Sequence, residues 1–125
     1  MRRIRPAAWL AAIGSLFVAA VTALAYTSAQ AEAGQQVFST ICAGCHGAAL
    51  EGGVGPALLG PAFRTVWANA AALLSYVSQN MPLSAPGSLR REQYQQVVAY
   101  LLRRNGISPG RELLGDEAAA RIPLG

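Results

Sequence analysis

After residue 32 the apolar positions recur at helical rather than strand spacing. Gly34, Val37, Phe38 and Ile41 stand at i, i+3, i+4 and i+7, which predicts a helix over about Ala33 to Ile41. Tyr94, Val97, Val98 and Leu101 repeat the pattern and predict a helix from about Arg91 to Arg104. Arg103 and Arg104 suit the negative end of its dipole, and Asn105-Gly106 is a stop signal. Between these two, Leu73, Leu74 and Val77 give the stripe of a helix from Ala70 to about Ser78, with Asn69 as its N-cap. It must end before Pro82, because proline pushes Met81 out of the α region. Gly52, Gly53, Gly55, Pro56, Gly60 and Pro61 make a loop of Gly47 to Arg64. Pro109, Gly110, Gly115 and Pro123 predict an irregular tail, 107–125, with one turn of helix near Asp116 to Ala120. β-branched runs are short and no internal repeat is visible, so the expectation is an all-α domain of three main helices and long loops.

The first thirty residues are of another kind. Arg2, Arg3 and Arg5 precede an Ala-, Leu- and Val-rich run from Ala7 to about Ala25, and no further charge appears until Glu32. Ala29-Gln30-Ala31 is a small-x-small site for signal peptidase, so residues 1–31 read as a signal peptide. Cleavage there leaves residues 32–125, 94 in all, with 32–106 as the one small domain. The apolar run is longer than the roughly 7–15 residues of an ordinary leader core. An uncleaved membrane anchor is therefore the competing reading. The run is mostly alanine and only weakly apolar, which favours cleavage. Either way the arginines stay inside and the domain lies outside the cytoplasm, in the periplasm.

Charge narrows the partners. The formal net charge is +4, but the three leader arginines leave +1 for the remainder, 7 Arg against 6 Asp and Glu. There is no lysine, and no clustered basic face of the kind nucleic-acid binding requires.

The candidate chemistry lies in one segment. Cys42-Ala43-Gly44-Cys45-His46 contains every cysteine and the one histidine of the chain, in the pattern C-x-x-C-H of c-type haem attachment. Two thiols at that spacing can add to the two vinyl groups of one haem, and the adjacent histidine then meets the iron. A thioredoxin-type redox pair needs a βαβ context that is missing. A structural zinc site wants four protein ligands, where two cysteines and one histidine are offered. A plain disulfide leaves His46 without a role. One covalent haem c is therefore expected, held by Cys42, Cys45 and His46, and its apolar ring would enlarge a core that is marginal at this size.

Opposite His46 the candidates are few. Met81 is the one methionine besides the initiator. A methionine in a small domain is most often core filler. Met81 instead falls between helices, and Pro82 holds it in an extended segment where a side chain can be aimed. This favours Met81 as the second iron ligand, the His/Met set known for haem.

The C-x-x-C-H near the start, Gly55-Pro56-Ala57-Leu58, Asn80-Met81-Pro82 and the closing amphipathic helix together resemble class I cytochrome c over about Ala33 to Gly106. The resemblance implies a cytochrome c fold around one haem. It implies that the Pro56 carbonyl meets the second imidazole nitrogen of His46, and that Gly34 and Phe38 cross Val97 and Tyr100. It makes Trp67 and Tyr76 pocket or propionate-contact candidates, with ordinary aromatic core the equal reading. Two propionates would bring the domain to about −1. Asn80-Met81-Pro82, Pro86-Gly87-Ser88-Leu89, Tyr94 and Ala99-Tyr100-Leu101-Leu102 with Asn105-Gly106 are similar to the cytochromes that accompany periplasmic quinoprotein (PQQ) dehydrogenases. Arg90 departs from that pattern, which carries Ser or Thr as the helix cap.

With both axial positions filled, the expected function is a one-electron carrier and not an enzyme. Its expected partners are a periplasmic dehydrogenase or respiratory complex and a terminal acceptor, met through small transient interfaces. The alternatives are a haem subunit held in a dehydrogenase complex, or a haem enzyme or ligand sensor with an open distal position.

Overall fold

The structure, a computed structural model, describes residues 13–16 and 25–125. Most of the apolar run expected as leader or anchor lies outside the described residues. Among the described residues no helix is long and apolar enough to cross a membrane.

The first helix, α1, spans Ser28–Val37 and so begins earlier than its apolar stripe predicts. Its start is set by polar groups. The Thr27 hydroxyl accepts the Gln30 N–H, and the Gln30 side chain accepts the Thr27 N–H in return. This reciprocal pair satisfies two of the donors that a helix leaves free at its first turn. The boundary expected at residue 31 therefore falls inside a helix, and Ala31 is buried there. Tyr26, assigned above to the leader, is fully buried in the core.

The backbone then widens into a π-helical turn, Phe38–Cys42, before the short α2, Ala43–His46. The periodicity predicts one continuous helix to Ile41. Ser39 and Thr40 explain the change. Their hydroxyls donate to the carbonyls of Gln35 and Gln36 at 2.8 and 3.0 Å, offering those acceptors a partner outside the helical ladder. Such back-bonding bends helices.

The expected loop contains a further short helix, α3, Gly60–Arg64, with Pro61 in its first turn. Next comes α4, Ala70–Asn80, capped as predicted by the Asn69 side chain on the Ala72 N–H at 2.9 Å. The long helix α5, Arg91–Arg104, has the predicted bounds. Arginine has no acceptor, so Arg90 caps only in part: its own N–H goes to Gln93 Oε1 at 3.0 Å, and the Gln93 N–H falls back on the Arg90 carbonyl. The last helix, α6, Asp116–Ala120, is the predicted turn.

The core forms where α1 crosses α5. A Cβ on Gly34 would fall on the Gln96 carbonyl oxygen, so glycine is what lets the two backbones touch. One turn on, the Phe38 and Tyr100 rings pack with centroids 5.4 Å apart. The Phe38–Tyr100 contact is the one the resemblance implies, whereas Gly34 meets Gln96 and Tyr100 and not the expected Val97. Along α5 every residue from Val97 to Leu102 is buried, and α4 packs against α5 and α6.

Residues 107–125 pack into this same core rather than trailing from it. Leu114, Ile122 and Leu124 are buried with the helices. The Ala70 N–H donates to the Ile122 carbonyl at 2.9 Å, and Asn69 and Pro123 form an isolated antiparallel bridge. At the other end, the Gln30 amide bonds the Leu114 backbone at both N–H and C=O. The expected tail is thus a strap from α1 round to α4. Among the described residues there is no β-strand, and the all-α class is what the structure shows.

Candidate functional site

Cys42 closes the π-helical turn, while Cys45 and His46 lie in α2, so the motif is delivered by a helix that changes pitch just before it. Widening by one residue turns everything after it around the axis. Phe38 can then stay in the α1–α5 contact while the next turn is re-aimed, a use to which π-bulges at functional sites are commonly put. Both cysteines are free thiols. Burial pushes the Cys42 thiol up to about 11, and charge on neighbouring Cys45 adds to the rise. Among the described residues no strand stands beside the pair, so the βαβ setting of a thioredoxin-type site is missing.

The loop after α2 folds back on His46. Gly52 N–H donates to the His46 carbonyl and Gly55 N–H to the Cys45 carbonyl, each at 2.8 Å. This brings the Pro56 carbonyl 2.8 Å from His46 Nδ1. A carbonyl can only accept, so Nδ1 carries the proton and Nε2 keeps its lone pair. That is the tautomer a metal-binding histidine needs. Gly55 makes the approach possible: a Cβ there would stand 2.9 Å from Cε1 and 3.0 Å from Nδ1 of the ring.

Met81 ends α4 in an extended conformation, the break predicted from Pro82. The segment it opens is closed by one side chain. The Tyr94 hydroxyl donates to the Met81 carbonyl at 2.7 Å and accepts the Leu89 N–H at 3.2 Å. Tyr94 is buried on α5, so the ends of segment 81–89 are anchored to the longest of the described helices.

A further cluster is aromatic. Trp67 packs against Tyr76 with centroids 5.2 Å apart and against Phe63 at 6.4 Å. Its indole Nε1 is buried and has no hydrogen-bond partner among the described residues. Buried indole N–H groups normally find one. The strap is tied to α3 beside this cluster, with the Leu124 carbonyl accepting from Arg64 Nε at 3.2 Å. Behind it, Asn105 accepts the Gly60 N–H and donates to the Leu58 and Leu101 carbonyls, each at 2.9 Å, fixing the loop to the end of α5.

Comparison with known proteins settles the family. Residues 29–101, more than half of the chain, match the family model described as cytochrome c oxidase, cbb3-type, subunit III. The chain belongs to the class I c-type cytochromes. The fold of this cytochrome is similar to the sulfane dehydrogenase SoxCD from Paracoccus pantotrophus, with TM-score 0.66 and 24% identity over 75% of this chain and 52% of that chain. At that identity the likeness is one of fold alone. Cytochrome CL from the marine methylotrophic bacterium Methylophaga aminisulfidivorans aligns at 26% identity over 58% of this chain and 53% of that chain, with TM-score 0.44. The cytochrome thus spans about half the length of these solved chains. No curated protein matches its sequence.

Membership of this family implies haem c, and the residues present fit it. His46 offers a free Nε2, the Gly55 position leaves room for its ring, and the orphaned Trp67 Nε1 is a donor of the kind a propionate accepts. The sequence reading did not find Tyr94 or Asn105 as loop anchors. Tyr94 fell on the apolar stripe and Asn105 on the helix stop, so each already had a sufficient reason to be there.

Proposed function

We propose that this cytochrome is a periplasmic one-electron carrier, with one haem held covalently by Cys42 and Cys45 and ligated by His46 and Met81. The haem supplies a single reversible electron. The observation that carries the reading is the His46 Nδ1 to Pro56 carbonyl bond of 2.8 Å, which leaves Nε2 as the basic nitrogen and locks the ring. Met81 supports it from position: it stands at the end of a helix, in a segment whose ends are both fastened to α5. A thioether and an imidazole together would raise the potential of the bound haem and fill its coordination places, so the chain would relay an electron and not act on a substrate.

The same features fit a second setting. A cytochrome of the cbb3 oxidase subunit III family can serve as a fixed electron-entry domain of a complex, and the family match favours that over a free ligand sensor. The partners in either setting are redox proteins.

Met81→Ala tests the ligand assignment. In protein matured with haem, the variant should keep the mass of one attached haem, lower its reduction potential and gain carbon monoxide binding that the parent lacks. Unchanged potential and unchanged carbon monoxide binding would return Met81 to the core and remove the carrier reading.

A further inference from the structure

The true start of the folded domain bears on how the chain is processed. A cut after Ala31 would sever α1 within its first turns. It would take away the Thr27 cap and the Gln30 amide that clamps both backbone groups of Leu114. It would also take Tyr26, whose ring is fully buried, whose hydroxyl donates to the Ile107 carbonyl and whose own carbonyl accepts the Gly110 N–H. What remained would lack the anchor of its strap and one of its largest core side chains. The site at residues 29–31 satisfies the small-residue rule and conflicts with the fold.

We propose that the leader is removed between Ala25 and Tyr26, so that the mature cytochrome begins at Tyr26. Ala23-Leu24-Ala25 carries small residues at the two positions that signal peptidase reads. Ending the leader there also shortens its apolar core to Ala7–Val21, which falls within the ~7–15 residues of an ordinary leader and removes the excess length that suggested an anchor. The reaction is hydrolysis of one peptide bond: water adds across it, Ala25 leaves with a new carboxylate, and Tyr26 keeps a new ammonium. Ala25 is buried beside Tyr26, but its contribution to the core is a single methyl group. Every bond of the Tyr26, Thr27 and Gln30 clasp survives this cut.

The inference rests on the exported reading of the chain, and the test separates the two. The full chain is expressed in a host with a secretory signal peptidase, and the purified cytochrome is analysed by intact mass and N-terminal sequencing. The expected result is a terminus reading Tyr-Thr-Ser-Ala. A terminus at Glu32 would overturn the cut while leaving export intact. A terminus at Met1 would also overturn the cut, and the presence or absence of covalently attached haem in its mass would then tell an exported, anchored chain from one that was never exported. Two single substitutions add an independent readout. Ala23→Gln should stop processing, whereas Ala29→Gln, at an exposed helix position that only the later site would use, should leave it unchanged. The reverse pattern would refute the proposal whether or not either variant folds well.

Discussion

Tyr94→Phe isolates one oxygen atom. The ring stays, with its burial among the α5 core, and only the hydroxyl that joins Met81 to Leu89 is lost. Two hydrogen bonds go with it, at 2.7 and 3.2 Å. Each such bond contributes about 1 kcal/mol net, and a buried group left unpaired costs about 1–3 kcal/mol. The Met81 carbonyl keeps a second, longer bond from the Gly87 N–H at 3.3 Å, so its loss is partly made good. The sum is about 2 kcal/mol. In urea, at a slope of about 1.5 kcal/mol/M, this moves the unfolding midpoint of the haem-loaded protein down by about 1.3 M. A local effect should accompany the global one. With the 81–89 segment loosened at both ends, the weak far-red absorbance of methionine-bound ferric haem should fade at a lower urea concentration than the fold itself. Ser84→Ala, at an exposed serine of the same segment, is the control and should change neither readout. A Tyr94→Phe midpoint within error of the parent would show that the hydroxyl does not hold the loop, and the placement of Met81 would lose its mechanical basis.

Two further outcomes follow from the packing. Gly34→Ala puts a methyl group on the Gln96 carbonyl oxygen, where neither partner is a movable side chain; overpacking at a helix crossing should cost at least ~1–3 kcal/mol, read as a fall in thermal midpoint, and a midpoint equal to the parent would refute the close crossing. Burial raises the pKa of the Tyr26 hydroxyl, and the positive charge of Arg103 only partly offsets the rise. The folded state then keeps a proton that the unfolded state releases above pH ~10, so stability is whole below that pH and declines above it. Tyr26→Phe should flatten that decline in thermal scans, and an identical slope in parent and variant would contradict the burial of the hydroxyl.

Residues whose role is written in their neighbours along the chain were legible. The C-x-x-C-H motif, the Asn69 cap, the break at Pro82 and the stripe of α5 all follow from short-range geometry. Thr27-Ser28-Ala29-Gln30 was legible too, since Thr-x-x-Gln is a capping box; it was masked by a small-residue pattern overlapping it that suited a leader. The π-helical turn left a fainter mark in the paired hydroxyls of Ser39 and Thr40. What sequence could not show was contact at long range. Gln30 and Leu114 are 84 positions apart, and nothing near Leu114 announces that its backbone will be bonded by a side chain from the other end. The strap was read as a tail for that reason: its prolines and glycines exclude long helices but do not exclude burial.

The α1–α5 crossing also imposes an order of events on a chain that emerges one residue at a time. Its two partners are the first and the last long helices of the domain, so the crossing cannot close until Arg104 has appeared. Contacts of such sequence separation form late, whereas α4 can form from its own residues as soon as they emerge. Throughout that interval the Cys42–His46 segment, attached to an undocked α1, lies in open chain. After closure Cys42 is packed against the core. Any enzyme that must reach both thiols has its window before the ends of the domain meet, and the length of that window is set by how far α5 lies from α1 along the chain.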